Sequence, residues 1–273
     1  MMEARVTRKR AERAYLHEKW RRNSQSAKVP MSIAKNALKA SVNGILSPFH
    51  MEIRKRSYVY HCSWLWSEDA RQAGMEVNDF VEKDHKKPAL EELQKTVFPY
   101  ISSNSIVCEL GPGTGCYTRR IAERITDGEL HIVDFDQYTI DFLKQYFKAN
   151  PRMRFYVNSG STLPLGSDAR MDLVFCTSMF TGQNLTYFCA YIKEFSRVLK
   201  LHGYAVFDYF DVAAEEGWNN LMENMARPRP IFNYNYHATA TIDKLVALAG
   251  LEVLERVPTI RGSTFVIARK IAK

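Results

Sequence analysis

The stretch Val107–Thr118 reads VCELGPGTGCYT. The apolar run Ser105–Leu110 (SIVCEL) predicts a short strand, and Cys116–Ile125 predicts a helix. Between them stand Gly111, Gly113 and Gly115. Glycines between a strand and a helix let the chain turn sharply and let a ligand approach the main chain. The spacing excludes a phosphate loop, because no Gly-Lys-Ser/Thr closes it. It also differs from the dinucleotide fingerprint, reading G-x-G-x-G rather than G-x-G-x-x-G. Glu109 lies two residues before the first glycine. A carboxylate there repels a pyrophosphate and suits a cationic amino-acid ligand.

Outward from this turn, strand and helix patterns alternate. Strands are predicted over 105–110, 130–134, 153–157, 172–177, 203–210, 251–257 and 263–269. Helices are predicted over 88–100, 116–125, 137–149, 185–199 and 241–249, the last closed by Gly250. Such alternation means a parallel sheet covered on both faces. The short loop Pro258–Gly262 permits an antiparallel hairpin at the end. The expected fold class is therefore α/β: a Rossmann-like, mostly parallel seven-stranded sheet with one antiparallel strand, helices on both faces and an N-terminal helical extension. The expected division is a basic extension over 1–87 and one domain over 88–273, in which 211–240 is a substrate cover.

In this order the motifs resemble those of the class I S-adenosylmethionine-dependent methyltransferases. Glu109-Leu110-Gly111-Pro112-Gly113-Thr114-Gly115 has the family's acidic-x-G-x-G-x-G form. Asp134 closes the next strand, where the family places an acidic residue on the ribose hydroxyls. Gly160–Leu165 (GSTLPL) matches the loop that frames the adenine, with Ser161 in place of the usual acid. Met171–Phe175 matches the fourth-strand motif, and Glu194–Lys200 followed by Gly203 matches the helix and turn before strand five. There Leu201-His202 replaces the usual Pro-Gly. The resemblance covers about 88–273. It implies S-adenosylmethionine as cofactor, with Glu109, Gly111, Gly113, Gly115, Tyr117, Asp134, Phe135, Ser161, Thr162, Leu163 and Thr177 around it. The rings of Tyr117 and Phe180 are candidate partners for its sulfonium.

Methyl transfer to an alcohol also needs a proton acceptor. His237 is the first candidate, since the ordinary pKa of histidine suits neutral pH. It ends an aromatic, proline-broken stretch, RPRPIFNYNYH, within the 211–240 segment. Asp208, at the end of strand five, is the second candidate, and His61 a third. Each also has a plain structural reading, as a packed histidine or a turn carboxylate. The run FDYFD, the following EGW, the aromatic-His segment and the closing STFVIARK are similar to bacterial methyltransferases of glycan and natural-product assembly. That similarity implies O-methylation of a sugar, a lipid-linked glycan or another small hydroxylated acceptor.

Charge separates the chain into two parts. Residues 1–60 carry 14 Lys+Arg against 4 Asp+Glu, and the remainder 24 against 26. The basic character thus belongs to an arm, with helices predicted over 5–22 and 31–46, and the near-neutral body argues against nucleic acid as its partner. The arm has three readings: docking on the core, peripheral contact with an anionic membrane, or guidance to an acidic polymer such as RNA. The last supports an alternative function, an RNA or protein methyltransferase. A further alternative is a non-catalytic binding module of the same fold. Five cysteines without a C-x-x-C pair, and no metal-ligand spacing, point to a reducing, cytoplasmic setting and no metal. No apolar run approaches a membrane span.

Overall fold

The computed structural model describes residues 59–84, 88–166, 170–227 and 234–271. The predicted helices of the basic arm and the side chain of His61 lie outside the described residues. In chain order the elements are α1 (Val59–Gln72), α2 (Val77–Asp84), α3 (Ala89–Thr96), β1 (Ile106–Leu110), α4 (Cys116–Arg124), β2 (Glu129–Asp134), α5 (Gln137–Tyr146), β3 (Met153–Val157), β4 (Met171–Cys176), α6 (Leu185–Val198), β5 (Leu199–Asp211), α7 (Glu215–Met225), β6 (Tyr236–His237), α8 (Thr239–Leu248), β7 (Leu251–Pro258) and β8 (Thr264–Lys270). Short 3-10 turns lie at Phe98–Tyr100 and Phe180–Gly182.

The sheet order is β3-β2-β1-β4-β5-β8-β7. Only β8 is reversed, antiparallel to both β5 and β7, so the predicted reversed strand lies one place in from the edge. The two-residue β6 adds to β5 at Phe210 and Asp211, an eighth strand too short to read from sequence. Alternation along the strands divides the core into two layers. Cys108, Leu110, Cys176 and Phe207 pack against Phe188, Phe195, Ile242 and Val246 of α6 and α8. Val107, Ile132, Phe175 and Val206 pack against Leu93, Ile121 and Leu143 of α3, α4 and α5.

Two boundaries differ from expectation. The predicted helix 88–100 ends at Thr96: Val97 leaves helical geometry, and Pro99, which has no N–H to continue an α-helix, lies in a separate 3-10 turn over Phe98–Tyr100. The compact unit that carries the sheet spans Tyr58–Lys273, so the expected boundary at residue 88 falls inside it. Arg119 of α4 holds α2 there: its guanidinium donates to Asp79 and Glu82 at 2.7 Å and to Glu76 at 3.1 Å. Val81 of α2 is buried in the core layer beneath.

Strand β5 starts earlier than predicted, at Leu199, and bulges before pairing resumes at Tyr204. His202 in that bulge has φ +66°, the left-handed region. A side chain there costs roughly 1–2 kcal/mol, less the backbone entropy that glycine loses. His202→Gly is therefore expected to stabilise the fold by up to about 1 kcal/mol in urea unfolding. A loss of stability would show that the ring makes a contact worth more than the strain.

Candidate active site

Parallel pairing brings the carboxyl ends of β1, β2, β4 and β5 to one edge. There the Gly111 N–H donates to the Val133 carbonyl at 2.9 Å, turning the chain out of β1 over β2. Gly111, Gly113 and Gly115 all have left-handed φ, which favours glycine. Two of them serve different ends. A Cβ on Gly115 would lie 2.9 Å from the Phe147 ring, so this glycine lets α4 pack on α5. A Cβ on Gly113 would meet nothing within 4 Å, so this stretch of main chain faces open space.

Beside the open turn are two buried carboxylates. Glu109 is 2% exposed, and its Oε2 has no hydrogen-bond partner. Burial pushes its pKa up to about 8, with the neighbouring Thr118 hydroxyl opposing the shift. Asp134 is buried at the end of β2, accepts the Asp136 N–H at 2.9 Å, and is raised by burial to about 6. Phe135, next in the chain, is half exposed. An unpartnered buried carboxylate is unfavourable by itself, and a cation placed against it offsets the cost.

The loop predicted to frame an adenine is held from below. The Leu163 N–H donates to Glu194 at 2.7 Å, and Arg197 donates to the carbonyls of Leu163, Leu165 and Gly166. The Glu194 and Arg197 motif on α6 is thus a clasp for this loop. Leu163 is buried, Ser161 is half-buried and Thr162 exposed, with the Thr162 hydroxyl 3.0 Å from that of Ser159.

Beyond β4 the chain passes through Thr177 and Ser178. The Thr177 hydroxyl is buried and has no partner. Ser178 has φ +58°. Its N–H donates to Asp208 Oδ1 at 2.6 Å, and its hydroxyl accepts from Arg261 at 2.7 Å. Asp208 Oδ2 accepts the Ser263 hydroxyl at 2.7 Å. Arg261 also reaches Glu92 of α3 at 3.2 Å, and Glu92 accepts the Tyr117 hydroxyl. These contacts tie α3, α4, the turn after β4, β5 and the β7–β8 turn into one buried network.

Three expectations are corrected here. Asp208 is 1% exposed and both its oxygens are occupied, so it is a scaffold carboxylate rather than an open base. Tyr117 is buried against Phe175, with its hydroxyl committed to Glu92 and the hydroxyl proton held more tightly by burial. Phe180 is wholly buried, stacked on Phe188 at 4.0 Å and edge-on to Phe207. Neither ring is a free face for a sulfonium. Arg261, Glu92 and Ser178 belong to no motif read from the sequence, and Ser263 opens the STFVIARK segment without being singled out there; only folding brings the four together.

His237 lies on the other layer. Its ring meets Phe188 edge-on at 5.5 Å, against the α6 side of the sheet, while Asp208 faces α3 and α4. The two predicted bases are thus not neighbours. Burial lowers the His237 pKa, opposed by a hydrogen bond at the Gln183 backbone. Its Nε2 is buried without a partner. The strand that carries it is fastened by Asn235 N–H to Thr181 O at 2.8 Å and Val212 N–H to His237 O at 3.1 Å. Segment 211–240, expected as a substrate cover, contains α7, β6 and the start of α8, and residues 228–233 lie outside the described residues. A cavity of about 430 Å³ opens at the opposite, amino edge, between Ser102, Lys200 and His202. It is remote from the glycine turn.

The donor set fits the cofactor that the motifs imply: an open glycine turn, a buried carboxylate awaiting a cation, and a second carboxylate at the end of β2. Comparison with known proteins bears on the same region. Residues 107–203 match the family model described as a methyltransferase domain. No curated protein matches the chain in sequence. Among solved structures, a chain of the Haloferax volcanii complex of the Trm112 methyltransferase activator with a methyltransferase superposes with TM-score 0.60 at 16% identity, covering 80% of this chain and all of that one. An S-adenosylmethionine-dependent methyltransferase from Aquifex aeolicus gives 0.52 at 14% identity, covering 67% and 89%. The magnesium protoporphyrin IX methyltransferase of Synechocystis, crystallised with S-adenosylhomocysteine, gives 0.50 at 12% identity, covering 88% and 99%. Residues 107–203 therefore resemble a methyltransferase domain in sequence, and the chain has the fold of the S-adenosylmethionine-dependent methyltransferases.

Proposed function

We propose that this chain is an S-adenosylmethionine-dependent methyltransferase that methylates a hydroxyl of a small acceptor, a sugar, glycolipid or related metabolite. The observation that carries the cofactor half is Glu109, buried and with its Oε2 unpartnered beneath an open glycine turn. Bound there, S-adenosylmethionine supplies an electrophilic methyl group. Gly111, Gly113 and Glu109 receive its amino-acid end, Asp134 accepts from its ribose hydroxyls, and the clasped 160–166 loop borders its base. Positioning of this kind can supply much of the rate of an in-line transfer.

The acceptor half rests on His237. Its lowered pKa keeps the ring neutral near pH 7, and Nε2 is unpartnered. A hydrogen bond at the Gln183 backbone engages the ring, and the unpartnered Nε2 supports the reading of His237 as the group that takes a proton from an acceptor hydroxyl. Phe210, Tyr234 and Tyr236, with ring centroids 5.0 and 5.1 Å from Phe210, form an aromatic shelf beside the strand that bears His237. Such a shelf suits the apolar face of a sugar or lipid-linked ring. The basic arm sustains one other reading, a polymer substrate such as RNA or protein.

The test is transfer of a labelled methyl group into host-cell extract, followed by partition. Label that survives nuclease and protease and enters the glycan or lipid fraction supports the small-acceptor reading. Label in RNA or protein overturns it. S-adenosylhomocysteine binding without any transfer would mark a binding module.

Three outcomes are expected of variants and pH. Gly113→Arg fills the open face of the turn and should abolish S-adenosylhomocysteine binding in calorimetry. Glu109 holds a proton below about pH 8 in the empty site, and a ligand ammonium must displace it. Affinity should therefore fall about tenfold per pH unit below the Glu109 pKa and level off above it. A flat profile from pH 6 to 9 would place the ammonium elsewhere. His237→Gln should lower kcat by roughly a hundredfold or more with cofactor affinity unchanged.

A further inference from the structure

The turn Thr259–Gly262 joins β7 to β8 and carries Arg261 into the carboxyl edge of the sheet. The turn is built to hold that residue. Thr259 and Ser263 bond across its neck through backbone and hydroxyl groups at 2.8 and 3.0 Å. Gly262 has φ +83°, and a Cβ there would lie 2.7 Å from Asn220 of α7. Asn220 in turn donates to the Arg261 carbonyl at 3.0 Å. The guanidinium is 17% exposed and faces Glu92 at 10% and Asp208 at 1%. Its distances to these carboxylates are 3.2 and 3.9 Å.

One fork of Arg261 ends on Ser178, a residue with a left-handed backbone and no glycine freedom. Every polar group of Ser178 is engaged. The N–H goes to Asp208, the hydroxyl accepts from Arg261, and the carbonyl accepts the Thr181 hydroxyl at 3.0 Å. Strain of this kind persists only where the surroundings over-determine it. The residue before it, Thr177, has a buried hydroxyl that no group among the described residues satisfies. Charge follows the same division. Arg261 compensates Glu92 and Asp208, whereas Glu109 keeps one buried oxygen, Oε2, without a partner.

We propose that Arg261 is a positioning residue of the methyl-transfer site: with Asp208 it clamps Ser178 in its left-handed conformation and so presents Thr177 to the bound cofactor. The role rests on the methyltransferase reading above. A lysine keeps the charge but cannot span Ser178 and Glu92 with a planar fork. A glycine at 178 needs no clamp, because it adopts φ near +60° without a side-chain penalty.

The experiment is calorimetric S-adenosylhomocysteine binding to the full chain and four variants: Arg261→Met, Arg261→Lys, Ser178→Gly and the double variant Arg261→Met with Ser178→Gly. Each is measured at a temperature where circular dichroism shows it folded. Arg261→Met and Arg261→Lys should each weaken binding by about tenfold or more, since misplacement of a site by an ångström costs on this order. Ser178→Gly alone should bind as the parent does, and the double variant should recover most of the loss. If Arg261→Met fails to fold, Arg261→Lys and its pairing with Ser178→Gly carry the same comparison. Parent-like binding by the Arg261 variants, or no recovery on adding Ser178→Gly, overturns the clamp while leaving the methyltransferase reading intact. No binding by the parent chain overturns that reading, and the clamp with it.

Discussion

Strand β1 pairs in parallel with β2 on one side and with β4 on the other, and the site depends on this constraint. Parallel neighbours all end at the same edge, so the turns that leave them converge. The register sets Leu110 level with Val133 and Cys176, which puts the glycine turn, Asp134 and Thr177 one residue further on side by side. The period of two along each strand does the rest. Glu109 and Asp208 share the face that looks toward α3 and α4, where Arg261 lies between Asp208 and Glu92, and Glu92 accepts from Tyr117. A slip of one residue would turn these carboxylates into the opposite, aromatic layer.

The electrostatics of that face are uneven in a way that serves binding more than stability. Burying a carboxylate without a partner is unfavourable, and Glu109 bears that cost in the ligand-free chain by holding its proton up to about pH 8. Asp208 and Glu92 are relieved of it by Arg261, whose own charge they keep firmly in place despite its burial. The network leaves one acid poised for a cation and makes the others part of the frame. Removing Arg261 would leave Glu92 and Asp208 buried without their countercharge, a cost to stability that is separate from the placement of Thr177.

On the other face the physics is packing. Phe180, Phe188, Phe195 and Phe207 interlock with ring centroids 4.0–6.5 Å apart and carry α6 against the sheet. His237 is added to this layer by the two-residue β6, which hydrogen-bonds to β5 beyond the main sheet. Asp211 anchors the junction by accepting from Tyr209, Ala213 and Thr239. The cofactor edge and the candidate base are therefore carried by different layers, and β5, with Asp208 on one face and Asp211 on the other, connects them.

Much of the fold was legible in the sequence because it is written in local periods: seven of the eight strands, the reversed hairpin strand and the glycine turn follow from hydrophobic pattern and spacing. Glu109, the three glycines and Asp134 were legible for the same reason, since a strand end and the turn after it are adjacent in the chain. The sequence could not separate Phe180, a packed ring, from one facing a ligand, or Asp208, a scaffold carboxylate, from a base. Those distinctions depend on what lies opposite each side chain. Nor could it find Arg261, which is 169 residues from Glu92 and 83 from Ser178 along the chain. Short-range pattern determined the strands and the glycine turn; tertiary structure decided which charges there are neutralised, because a buried charge is matched by whichever partner the sheet edge brings within reach.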